Sequence, residues 1–151
     1  MRSILTAALI VGFLVAADKP VTEAAKQDLK RIEGTWTLVS AQRDGQATPP
    51  DEVKKTKISF QGDRFEFPDA AGIGTSQKGT LQLDPSQKPK WMDSTATIVE
   101  GQGSVSLGIY EISGDDYKVC FSPPGKPRPK EFLSAPGSGV ILQIWKRAKK
   151  S

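Results

Sequence analysis

Gly34-Thr35-Trp36 stands between a short helical pattern and a long series of strand-like segments. Upstream, Thr22 is placed to cap a helix over residues 23–32, with Ala25, Leu29 and Ile32 on one face at spacings of four and three. Gly34 ends that helix, because glycine accepts backbone angles that other residues resist. Downstream the period changes to two. In 35–42, Trp36 and Leu38 alternate with Thr37 and Val39, and Asp44-Gly45 and Pro49-Pro50 then read as loop. Segments 57–61 and 64–67 flank Gly62-Asp63, a two-residue hairpin turn, with Ile58, Phe60, Phe65 and Phe67 on one side. Further strands are expected over 80–83, 90–100, 105–112, 117–122 and 140–147, divided by Asp84-Pro85, Gly101 and Gly103, Gly114-Asp115, and Gly137-Ser138-Gly139. Eight short strands with one apolar face each must hide that face, and closure into a barrel does so without leaving a long edge. The expected fold is all-β: an eight-stranded antiparallel barrel over 34–147, preceded by a segment 18–33 with a short helix and followed by a basic tail, 148–151.

The first residues, Met1-Arg2-Ser3, precede an apolar run from Ile4 to Ala17 and a polar break at Asp18-Lys19-Pro20. A positive start, a short apolar core and small residues before the break read as a signal peptide over 1–17, cleaved before Asp18. About 20 apolar residues are needed to cross a bilayer, so the run is too short for an anchor. Export to the periplasm, the cell envelope or the outside is expected, with no integral membrane segment after cleavage. The remainder is the length of one domain. Twenty-one basic against 17 acidic residues leave a formal charge of +4, mildly basic, with no expectation of a nucleic-acid partner. Much of the excess lies in Lys146-Arg147-Ala148-Lys149-Lys150. The single cysteine, Cys120, lies in a strand-like segment and reads as a packed thiol whose burial raises its pKa.

A Gly-x-Trp after a short helix, with a basic residue on the last strand, resembles the closing pattern of lipocalin-like barrels. The resemblance implies that Trp36 plugs one end and that a last-strand cation, Arg147 before Lys146, lies over its ring. The chain further resembles a family of small exported lipocalin-like domains of uncharacterised function, abundant in planctomycete bacteria. The matching pieces are Gly34 through Leu38, Asp44-Gly45, Leu81 through Pro85, Pro89-Lys90 and Gly108 through Glu111. They continue with Lys118 through Phe121, Pro124 through Pro129, Phe132 and Pro136 through Gly139. What that implies is fold and export; it carries no activity and no catalytic residue.

Chemistry is sparse. The absence of histidine removes the commonest general base and the commonest transition-metal ligand, and one cysteine cannot build a thiolate zinc site. No catalytic residue, metal or cofactor is expected. Carboxylates remain: two of Asp93, Glu100 and Glu111 could meet inside a barrel as an acid–base pair, although strand position alone does not set geometry. Asp115-Asp116 lacks the alternating oxygen ligands of an EF-hand and reads as a polar turn. Phe60, Phe65, Phe67, Leu81, Leu83, Tyr110 and Phe121 are candidates to line a ligand cavity, or equally to fill it. Tyr110 adds a hydroxyl that needs a partner or could orient a bound molecule. Two partners follow. The first is a small, largely apolar ligand in the lumen, held without catalysis. The alternative is a filled barrel that meets an anionic envelope polymer or a protein through the basic tail and the proline-rich loop with Lys126, Arg128 and Lys130.

Overall fold

The computed structural model describes residues 19–68, 77–97 and 103–150. The expected leader, residues 1–17, and Glu100 lie outside the described residues. Helix α1 (Glu23–Ile32) leads into β1 (Gly34–Arg43), β2 (Gln46–Ala47), α2 (Pro50–Lys55), β3 (Lys57–Gln61) and β4 (Arg64–Phe67). Then come β5 (Gln77–Asp84), β6 (Lys90–Thr97), β7 (Ser104–Ser113), β8 (Asp116–Phe121) and β9 (Ile141–Arg147). Chain neighbours pair antiparallel from β3 through β9, and β1 pairs with both β3 and β9, which closes the sheet. β1 and β3–β9 make an eight-stranded lipocalin-like barrel, and β2 only lengthens the hairpin at Asp44-Gly45.

Local chemistry sets the boundaries. Thr22 Oγ1 accepts from the Ala25 amide at 3.1 Å, satisfying one free donor of the first turn. Gly34 adopts φ +109°, so the chain can leave the helix and enter β1 at once. The β1–β9 register shifts between Leu38 and Ser40, a bulge at Val39 that keeps Ala41 facing inward after Trp36 and Leu38. β1 pairs with β3 only over Gly34–Thr37. Beyond that, α2 stands in: the Leu38 amide donates to the Thr56 carbonyl at 3.0 Å and Val53 is buried. The segment around Pro49-Pro50, expected as loop, is thus half a loop and half a helix with proline in its first turn.

The long connection after β8 folds back over the outer wall. Ile109 and Cys120 are register partners, both fully buried outside the barrel core, and Cys120 Sγ lies 3.7 Å from the Leu133 carbonyl. Burial pushes the thiol above its ordinary value, so it is a packed group as expected, under a loop rather than in the main core.

Two phenols share the barrel interior. Tyr117 donates to Met92 Sδ at 3.2 Å, and Tyr110 donates to Asp28 Oδ2 at 2.8 Å. Burial pushes both well above the ordinary 10.0, and the Asp28 carboxylate adds to it at Tyr110. Raised acids ionise first in the unfolded chain, so their contribution is complete below pH 10 and is lost as pH rises. We expect stability to fall above pH 10 by about 1.4 kcal/mol per pH unit for each phenol. Urea midpoints at pH 8, 10 and 11 measure this; a flat profile would mean that the native state ionises them freely.

Candidate ligand-binding lumen

One end of the barrel is sealed by residues from its first and last strands and from α1. Trp36 and Arg147 are direct register partners, and the guanidinium carbon lies 4.3 Å from the indole ring centroid. Trp36 is fully buried and its Nε1–H donates to the Ile32 carbonyl at 2.7 Å. Arg147 donates to the Arg31 and Glu33 carbonyls at 2.6 and 2.8 Å and to Asp115 at 3.0 Å. One planar fork therefore covers the plug, satisfies orphan carbonyls at the end of α1 and grips the β7–β8 turn. Trp36 and Arg147, the closing pair expected from the sequence, are thus in contact at this end of the barrel.

Asp28 fastens α1 from the other side. It is 3% exposed and accepts from Tyr110 and from Lys90 Nζ at 2.7 Å. Arg31, one turn on, also reaches it at 3.4 Å, but the two partners that bind it to the barrel lie far along the chain and left no signal in the sequence. The Tyr110 hydroxyl, expected either to find a partner or to orient a ligand, is engaged by this carboxylate.

Side chains directly opposite in a ladder share a face, so the register gives the inward set, and burial then divides it into two regions. The half near α1 is packed solid: Trp36, Ile58, Phe60, Leu81, Met92, Tyr110 and Tyr117 are all buried, with Tyr117 edge-on to Trp36 and Phe60 at 5.8 Å. The far half differs. There the inward pairs are Ser94 with Ser106, Ala96 with Ser104, and Phe121 with Ile141, and with Gln143 and Phe67 all are only half-buried. Solvent reaches inward-facing side chains at this level, and many of those chains are small.

Two glycines make room for aromatic rings. Phe65 opposes Gly79 and Phe121 opposes Gly108. A Cβ on either glycine would strike the facing ring and a backbone carbonyl, so each ring lies against the wall where a side chain is missing. Between the halves sits Trp145, paired with Leu38 and Tyr117, fully buried, with Phe67 6.1 Å away between ring centroids. Its Nε1 is a buried side-chain polar atom without a hydrogen-bond partner.

The seven apolar candidates thus separate by burial. Phe60, Phe65, Leu81 and Tyr110 are buried in the packed core; Phe67, Leu83 and Phe121 pack against it from half-buried positions. Ser94, Ser106, Gln143 and Trp145 were not anticipated. On the outer wall, Arg128 pairs with Asp93, donates to the Gly108 carbonyl at 2.8 Å and stacks 4.3 Å over Trp91. It clamps the proline-rich loop to β6 and β7, whereas Lys126 and Lys130 are exposed. Asp93 and Glu111 both face outward, each against its own cation (Arg128, and Lys118 at 3.7 Å), so these two carboxylates do not meet in the lumen. Among the described residues no group of three acidic, cysteine or histidine side chains could hold a metal. No described helix is long and apolar enough to cross a membrane.

Comparison of the chain with protein-family models, curated proteins and solved structures finds no match.

Proposed function

We propose that this protein is an exported, non-catalytic binding protein that holds a small, largely apolar ligand in the open half of its barrel. We further assign it to the planctomycete family of exported lipocalin-like domains that its sequence resembles. The observation that carries the binding reading is the contrast between the two halves of the lumen. A chain that needed only a core would continue the large side chains of the lower half to the mouth, because each buried apolar group adds roughly 25 cal/mol per Å². Instead Ser94, Ala96, Ser104 and Ser106 face inward, half-buried, with Phe67, Phe121 and Ile141 among them. An apolar cup with a few polar groups is the usual make-up of a small-molecule site.

Native mass spectrometry before and after exposure to an extract of the producing cell's envelope tests the binding reading. A discrete adduct released by organic solvent is expected, and it would give the ligand's mass. A clean mass both times would favour the filled barrel and its exposed cations. Export has its own readout: N-terminal sequencing of protein recovered from cells should begin at Asp18, and a start at Met1 would remove the envelope from the proposal.

A further inference from the structure

Two of the tryptophans in this barrel are fully buried, and their indole donors are treated differently. Trp36 Nε1–H meets the Ile32 carbonyl at 2.7 Å, whereas Trp145 Nε1–H meets nothing among the described residues. A buried donor without an acceptor is disfavoured, and native proteins rarely keep one. Trp145 also stands at the boundary between the packed half and the open half, across from Phe67.

We propose that Trp145 Nε1–H is a polar contact of this lumen, donating to the carbonyl oxygen of an uncharged, otherwise apolar ligand. The inference rests on the reading of the open half as a ligand site. An indole N–H only donates, so the ligand must supply an acceptor. That acceptor is neutral, because the ladder partners Leu38 and Tyr117 and the facing Phe67 carry no cation, and an unpaired buried anion is strongly disfavoured. The Tyr117 hydroxyl is already directed to Met92 Sδ, so it does not compete with the indole for such an acceptor. A lone water is a poorer occupant, since it needs two to four polar partners and the surrounding rings offer few.

Two probes of matched shape separate the cases: 2-undecanone and 2-methylundecane, titrated calorimetrically into the wild-type protein and into Trp145→Phe. The ketone should lose about tenfold in affinity in the variant, while the hydrocarbon stays within roughly twofold. Equal losses would mean that Trp145 only packs, and would overturn the inference while leaving a binding lumen. Failure of the wild type to bind either probe would overturn the binding reading itself. Should the variant not fold, the indole proton of Trp145 in the wild-type ¹H–¹⁵N spectrum decides. A downfield move with the ketone alone supports the hydrogen bond, and the same response to both probes excludes it.

Discussion

Trp36→Ala should lower the stability of this protein by about 3–5 kcal/mol, the range for truncating a large buried ring. Small domains have about 5–15 kcal/mol in total, so the variant would sit near the edge of folding at room temperature. The loss has three parts. A fully buried indole leaves a cavity, the Ile32 carbonyl loses its donor at the end of α1, and Arg147 loses the face it covers. Trp36→Phe keeps most of the volume but not the N–H, and should cost less than half as much. Urea denaturation of both variants against wild type provides the comparison; an unchanged midpoint for Trp36→Ala would refute its role as the plug.

The second large effect is expected at Asp28. Asp28→Ala removes one acceptor shared by a buried phenol and an ammonium, leaving Tyr110 with an unpaired hydroxyl in the core. Breaking a buried pair from one side costs about 3–5 kcal/mol when both partners are dry. The Lys90 side chain is 37% exposed and can turn to water, so about 2–3 kcal/mol is the better expectation here. Asp28→Asn, which still offers Tyr110 an acceptor, should retain about half of that. Because Asp28 joins α1 to β6 and β7, amide exchange in α1 should accelerate more than in the strands. Uniform acceleration across the barrel would instead mean that α1 opens only with global unfolding.

The fold was largely legible because its signals are local. Segments 57–61 and 64–67 coincide with β3 and β4, since Gly62-Asp63 fixes both ends and the alternation of Ile58, Phe60, Phe65 and Phe67 fixes the face. α2 was missed because a six-residue helix with one buried side chain, Val53, has no period to detect. The site was only half legible, and for a definite reason. Alternation assigns a residue to a face but not to a height along the barrel, so Phe60 and Phe67 look equivalent in sequence while one fills the base and the other borders the cup. Height depends on register between strands. It also depends on the absence of side chains at Gly79 and Gly108, whose meaning appears only when Phe65 and Phe121 lie against them. Asp28 and Arg128 were illegible in a different way: charged residues are ordinarily solvated, and the barrel partners of Asp28 are 62 and 82 residues away, the carboxylate partner of Arg128 35.

The β1–β9 seam also bears on how the chain comes to be folded. The other barrel ladders join strands that lie much nearer in the chain, β3–β4 and β7–β8 across two-residue turns, whereas Leu38 must find Trp145 across nearly the whole domain. The entropy of closing that loop falls on a single pairing, which makes it the slow and late event of a meander otherwise rich in near-neighbour contacts. Of the strands, β1 is the first to emerge and its partner β9 the last. Until then the β9-facing edge of β1 stands open to any other strand, and the Trp36–Arg147 contact is the last bolt to be drawn.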